Sequence, residues 1–342
     1  NYPADFIAEG VDQTRGWFYS LMNLGVGLFG KAPYKYVIVN GHVLAESGVK
    51  LSKSEKNYTD PMILVEKYGA DALRYALLSS PVVKGENLQF DDESVSDVYK
   101  KLISRLENVV QLYEMNKPEN VTPKDTSMNV LDMWIVSRIH ELVRDSTKGY
   151  EDYKLDEAVR GIADIIDDIS VWYTRRSRAR LKGDNGEEDK MLAYETLSSV
   201  LLTLAKVMAP VMPFISERIY KQVGGGMVDL KESVHLESWP VEGVISESII
   251  RDMKLVRDIV SLGLMKRTES KINVKQPLLS VTLKNKISKV YFDLIKDELN
   301  VKDVLIDGSQ KGEVVLDETI TDELRKEGDI RKIIRAVQDM RK

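Results

Sequence analysis

One polar stretch has the residues to handle phosphate. "GVKLSKSEKNYTDP", Gly48–Pro61, brings Lys50, Lys53 and Lys56 together with Ser52 and Ser54, and almost nothing apolar anchors it. Ammonium groups and hydroxyls supply the charge and the hydrogen-bond donors that phosphate oxygens take. The G-x-x-x-x-G-K-[ST] pattern of a Walker A loop is missing, and by composition alone the stretch is first of all a solvated turn. A second cluster runs through "WYTRRSRARL": Arg175, Arg176, Arg178, Arg180 and Lys182 place five cations within eight residues. On a helix Arg175, Arg178 and Lys182 fall at i, i+3 and i+7, on one face. Such a stripe suits phosphates and unpaired bases. A solvated helix end favoured by the helix dipole fits the same residues equally well.

Other chemistries are closed off. The chain has no cysteine, so disulfides and cysteine–zinc sites are excluded. His42, His140 and His235 lie roughly a hundred positions apart, and each is read as a surface or satisfied core residue. No protein-bound metal, zinc included, is expected. The formal charge of −5 argues against a general nucleic-acid binder, so RNA contact would have to rest on a local basic stripe. No uninterrupted apolar run reaches the roughly 20 residues that cross a bilayer. Val200–Phe214 comes nearest and is broken by Lys206, Pro210 and Pro213. With no secretory signal at the start, the expectation is a soluble cytoplasmic protein that meets no membrane.

The elements that must position these residues read in three parts, consistent with the two or three domains that 342 residues suggest. Residues 1–94 alternate strand and helix: "DFIAEG" and Lys35–Leu44 as strands, Gly16–Phe29, Pro61–Tyr68 and Asp71–Ser79 as helices. That order predicts an α/β sheet, in which ligands bind beyond the carboxyl ends of the strands, where the lysine loop would sit. Residues 95–243 are helical, with helices over Val98–Met115, Val130–Tyr150, Leu155–Lys182 and Lys190–Ala209 and a fifth opened by Pro213; short connections predict a bundle. Residues 244–342 mix helix and strand as a small α+β domain: helices over Glu247–Lys266, Val290–Leu299 and Thr321–Lys342, strands over "LLSVTLKN", Val301–Ile306 and Glu313–Leu316. The first residues lack an initiator methionine and enter directly on a strand, and the last stop inside a helical pattern, so both ends read as cut.

The order of the motifs adds a resemblance. "KLSKS", Lys50–Ser54, differs at one apolar position from the KMSKS signature of class I aminoacyl-tRNA synthetases, and "GADALR" lies downstream as in that family. "YPADFIAEGVDQTRGWF", Tyr2–Phe18, resembles the adenylate-site segment of isoleucyl-tRNA synthetases. "SPVVKGENLQF" resembles the isoleucyl rather than the valyl or leucyl pattern. "WYTRRSRARL", "MAPVMPFISERIY" and "SVHLESWP" resemble the family's anticodon-binding domain, and "INVKQPL" the region after it. The set is collinear over nearly the whole chain and looks most like the archaeal and eukaryotic branch.

The resemblance implies an architecture: the carboxy-terminal half of a Rossmann-type catalytic domain, an all-α anticodon-binding bundle, and a truncated α+β domain. It implies ATP-dependent activation of isoleucine with Mg²⁺, transfer to tRNA(Ile), and a full enzyme that is a monomer. Lys53, assisted by Lys50, would neutralise charge on the departing pyrophosphate, with Ser52 and Ser54 bonding phosphate or holding the loop closed. Gly48 would hinge it. Glu9 would take the ribose hydroxyls, Gly10 would let the backbone approach, and Asp12 and Gln13 would line the adenylate and the substrate amino group. Leu51 in place of methionine is a volume-conserving departure; Thr14 stands where many relatives carry histidine and is assigned nothing. Trp17 is expected in the helix–sheet core, Trp172 in the bundle core, and His42 either near ATP or in packing. The HIGH motif and the editing insertion, which precede this segment in the family, are absent, so the chain by itself is expected not to form the adenylate. The alternatives are a synthetase for valine or another branched amino acid, and a free-standing tRNA-binding module.

Overall fold

A computed structural model describes residues 2–45, 47–49, 51, 58–225, 227 and 230–340. Ala4–Gly10 (β1) and Tyr34–Asn40 (β2) pair in parallel, with Glu9 opposite Val39 and Gly10 opposite Asn40, so the two strands end level. Parallel strands need a crossover, and Trp17–Phe29 (α1) supplies it, stopped by Gly30 at φ +66°. Trp17 departs from expectation: it is 44% exposed, and Phe18 is the residue that turns into the core. The single strand expected over Lys35–Leu44 is divided. Val43–Leu44 (β3) leaves β2 and pairs in parallel with Leu88–Gln89 (β4), a strand too short for its pattern to register. The division falls at Gly41, whose N–H donates to the Val82 carbonyl at 2.8 Å. A Cβ there would sit 1.8 Å from the Glu86 carbonyl oxygen, so the two backbones pass at a distance only glycine allows.

Pro61–Tyr68 (α2) starts under an Asp60 cap, whose carboxylate accepts the Met62 N–H at 2.9 Å. Ala70–Leu78 (α3) follows Gly69. Asp92–Val98 (α4) continues through a wide turn at Tyr99–Ile103 into Ser104–Met115 (α5), so the helix expected from Val98 begins earlier. Asp91 sets its start by accepting the Ser94 N–H at 2.6 Å.

The bundle comprises Val130–Glu151 (α6), Leu155–Asp167 (α7), Thr174–Arg176 (α8), Arg178–Lys182 (α9), Glu187–Met208 (α10) and Pro213–Gly224 (α11). An apolar stripe along α7 is its core face: Ala158, Val159, Ile162 and Ile166 are buried, as is Ile169 in the turn that follows. The one long helix expected over Leu155–Lys182 is interrupted twice. A wide turn spans Asp168–Tyr173, and Ser177 leaves helical geometry at φ −86°, ψ 6°. Helix α10 corrects the reading of apolar runs. Counted from Glu187, it is long and apolar enough to cross a membrane, but 72% of that apolar window is buried in the protein, as befits a core helix.

The chain divides into two compact units, one of residues 1–127 with 138–245 and the other of 128–137 with 246–342. The second contains Glu247–Glu269 (α12), Leu278–Leu283 (β5), Phe292–Leu299 (α13), Val301–Ile306 (β6), Val314–Leu316 (β7) and Asp322–Met340 (α14). Its sheet has the order β6-β5-β7, with β5 parallel to β6 and antiparallel to β7. Arg267 ties α12 to the α13–β6 turn: its guanidinium, fully buried, donates to the Leu299 carbonyl at 2.9 and 2.6 Å and to the Gln276 carbonyl at 2.9 Å. Burial pushes that guanidinium down to about 10.

Candidate nucleotide edge and RNA interface

The level ends of β1 and β2 make an edge at which the candidate adenylate residues gather. Glu9 ends exposed beside Val39, and Gly10 opens a short helical turn, Val11–Arg15, ahead of α1. Asp12 is exposed and accepts a hydrogen bond from the Gln13 side-chain amide at 3.0 Å. Its carboxylate folds over Gly10, where an added Cβ would meet the oxygen at 2.6 Å. Gln13 has a second task that the sequence did not suggest. Its side-chain carbonyl accepts the Trp17 N–H at 2.8 Å and so caps α1. Glu9, Gly10, Asp12 and Gln13 are thus brought to one place, two carboxylates facing solvent and a half-buried amide beside a backbone bare of side chain.

The stretch that leads from β2 toward the lysine loop starts at the same edge. The His42 N–H donates to the Asn87 side chain at 3.2 Å, and the half-buried His42 ring lies just beyond Asn40. Ala45 and Val49 close a tight turn, the Ala45 N–H donating to the Val49 carbonyl and the Gly48 N–H to the Ala45 carbonyl, both at 2.8 Å. Gly48 has φ +80°, a conformation that a side chain strains. Lys50, Ser52, Lys53 and Ser54 lie outside the described residues. On the far side the chain is tied again where the Thr59 hydroxyl donates to Asp92 at 2.7 Å.

The cation cluster divides by burial. Arg175, Arg178 and Lys182 are exposed and Arg176 is half-buried. Arg180 is 4% exposed and turns inward. Its guanidinium forks onto Asp189 of α10, with contacts of 2.9 and 2.8 Å to one carboxylate oxygen. Asp189 supplies the countercharge that draws Arg180 into the bundle, so the five-cation stripe loses that member. Arg175 lies over the ring of Trp172, 5.8 Å from its centre, and its Nε donates to the Val171 carbonyl at 2.9 Å. Trp172 itself is buried, as expected.

Beside these arginines runs a groove of about 420 Å³ between α5 and the Ser170–Arg178 segment. Asn108, Gln111, Arg175 and Arg178 line it with exposed polar heads above Leu112 and Val109. The Thr174 hydroxyl in its wall is buried with no hydrogen-bond partner among the described residues. Amides both donate and accept, the pairing that reads base edges, and arginines hold phosphate or stack. The sequence missed Asn108 and Gln111, since exposed amides on an amphipathic helix carry no signal until a second wall of the groove is known. Among the described residues no three histidine or acidic side chains converge on a point that could hold a metal ion.

Residues 1–89 match the family of class I tRNA synthetases (I, L, M and V), and residues 132–283 match the anticodon-binding domain of tRNA ligase. Among curated relatives, the isoleucine–tRNA ligase of Protochlamydia amoebophila is 40% identical over 331 residues, 92% of this chain and 31% of its own length. That of Bdellovibrio bacteriovorus is 40% identical over 89% of this chain and 30% of its own length. That of Chlamydia trachomatis serovar D is 42% identical over 89% of this chain, again 30% of its own length. The chain therefore spans less than a third of these relatives. Among solved structures, the ternary complex of Agrobacterium radiobacter K84 agnB2 LeuRS with tRNA and LeuAMS aligns over 72% of this chain and 29% of its own, with a TM-score of 0.52 at 22% identity, a likeness of fold. Over most of its length the chain is similar to isoleucine–tRNA ligases, with the class I tRNA synthetase match over residues 1–89 followed by the anticodon-binding-domain match over residues 132–283.

Proposed function

We propose that the chain serves an isoleucine–tRNA ligase, supplying one side of the adenylate site and the bundle that grips tRNA(Ile). In that reaction the carboxylate of isoleucine attacks the α-phosphate of ATP and pyrophosphate leaves. The isoleucyl group then passes to the 3′-terminal adenosine of the tRNA, and AMP is released. Positioning and charge stabilisation carry such a reaction, with little covalent work for the protein. Glu9 holds the ribose hydroxyls beside Gly10, and Asp12 lines the adenylate. Gln13 does so as well while it caps α1. Lys53 and Lys50, with Ser52 and Ser54, neutralise the phosphates. Mg²⁺ bound with ATP would supply further neutralising charge. Arg175, Arg176, Arg178 and Lys182 meet RNA along the groove, and Arg180 holds their scaffold in place.

The observation that carries this reading is the level end of β1 and β2, where Glu9 and Gly10 stand opposite Val39 and Asn40 and the chain leaves toward His42, at the position where α/β sheets take their ligands. The 40% identity to isoleucine–tRNA ligases over most of the chain supports isoleucine as the amino acid. By this reading the enzyme acts in the cytoplasm as a monomer, and this chain alone does not catalyse isoleucine-dependent pyrophosphate exchange. The resemblance of its motifs to the archaeal and eukaryotic branch rests on the sequence; the relatives named above are bacterial.

The test is binding of the chain to tRNA(Ile) beside the same tRNA with its anticodon changed, at two salt concentrations. The reading expects tighter binding to the native anticodon at both salts. Equal affinity for the two, falling together as salt rises, would leave only general phosphate attraction and overturn it.

A further inference from the structure

The segment "GADALR", Gly69–Arg74, has no role in either site, yet two of its side chains reach far across the chain. Asp71, at the start of α3, is 4% exposed. Its carboxylate accepts the Ile215 N–H at 2.6 Å and the Phe214 N–H at 3.3 Å. These N–H groups belong to the first turn of α11, where helices leave their donors unpaired. Met212, at the capping position of α11 itself, offers no side-chain bond to them. The cap therefore comes from Asp71, on a different helix. Three residues on, Arg74 donates from Nε to the Val211 carbonyl at 2.9 Å and from Nη2 to the Pro210 carbonyl at 2.8 Å. These carbonyls lie just past the end of α10. Spacing of i, i+3 puts Asp71 and Arg74 on one face of α3. A carboxylate thus meets the amino end of one helix and a guanidinium the carboxyl end of another, each matching the local dipole. Neither helix end was one the sequence could assign to a partner.

Helix α3 follows α2, and α2 follows the stretch that leaves the sheet edge. The corner between α10 and α11 belongs to the bundle. We propose that Asp71 and Arg74 are positioning residues. They clamp the segment coming from the sheet edge onto the α10–α11 corner, and so fix the spacing at which a single tRNA is held at both the sheet edge and the bundle. This rests on the function proposed above. A ligand gripped at two places gains affinity from the second only while the geometry between them is held. The clamp is what holds it. Burial pushes the Asp71 carboxyl above its ordinary value, against the hydrogen bonds from Ile215 and Phe214. The clamp thus keeps a charge that an amide of the same size would not have to bury.

The experiment compares affinities of the chain for whole tRNA(Ile) and for the isolated anticodon stem-loop, in the unchanged protein, Asp71→Asn and Arg74→Gln. The unchanged protein should bind whole tRNA more tightly than the stem-loop. Each variant should weaken whole-tRNA binding about tenfold, the loss expected when one grip no longer concentrates the other, while stem-loop binding stays as it was. A merely structural role would weaken both RNAs together, and that result would overturn the proposal, as would no change for either. Thermal melts identify a variant that fails to fold; Arg74→Gln, a change at a partly exposed side chain, then decides alone. Should the unchanged protein bind neither RNA, the function proposed above falls and the clamp with it. Binding of both RNAs without the split in the variants overturns the clamp alone.

Discussion

The bundle and the sheet end of the same unit bury their apolar residues to different standards. Ile162 is fully buried, and Ile166, Ile169, Leu197 and Leu201 beside it are equally closed off. On α1, by contrast, Leu28 is 73% exposed and Leu24, Val26 and Phe29 are also exposed, as are Phe6 and Tyr36 on the strands. Stabilisation by burial scales with the apolar area removed from water, so within this chain these bundle residues gain more from burial than these residues of the sheet end. What holds the sheet end is attachment: the rings of Phe6 and Tyr36 lie 5.4 and 4.9 Å from that of Tyr153, and Asp71 and Arg74 reach the bundle corner. The part that would handle nucleotide thus leans on the part that would handle RNA.

The sharpest way to break this contrast is truncation on each side. Ile162→Ala should cost about 2–5 kcal/mol in denaturant unfolding, the cost of a cavity in a closed core. Leu28→Ala should change stability by less than about 0.5 kcal/mol, because the side chain already faces water. Equal losses would mean that the sheet end is as self-supporting as the bundle.

The paired arginines come next. Arg180→Ala leaves Asp189 with a broken, mostly buried pair and should cost about 2–3 kcal/mol of stability. Arg178→Ala should leave the melting curve where it is. Instead it should weaken RNA binding at all anticodons alike and reduce the slope of log affinity against log salt by about one. Melting curves and salt titrations of the two variants separate the roles; a reversal of the two effects would refute the sorting.

The smallest effect concerns Asp71. Its carboxyl is raised above the ordinary value of 3.8 by burial, outweighing the bonds from Ile215 and Phe214. The folded protein therefore holds that proton more tightly than the unfolded chain. The contribution is fully present below the unfolded value and is lost as pH rises through the folded one. Asp71→Asn does not titrate, so its stability relative to the unchanged protein should improve as pH climbs from about 3.8 toward neutrality. A difference that is flat with pH would mean that the carboxyl is not raised.

Much of this was legible in the residues. Apolar periodicity marked α1, α7, α10 and the helices and strands of the second unit, and Pro213 marked the start of α11, because those signals are local. Glu9, Gly10, Asp12 and Gln13 could be picked out together because the segment that carries them resembles the adenylate-site segment of isoleucyl-tRNA synthetases. What stayed hidden depends on contacts distant in sequence. Gly41 divides a strand only because Glu86 passes against it. Arg180 turns inward only because Asp189 waits on α10. Asn108 and Gln111 become a groove wall only when the Ser170–Arg178 segment faces them.

The central claim is that this chain recognises isoleucine tRNA. The most direct test is to mix the purified chain with total cellular tRNA at limiting protein and sequence what it retains. Isoleucine isoacceptors should be enriched over the input. A retained pool with the composition of the input, or one enriched in valine or leucine isoacceptors, would contradict it.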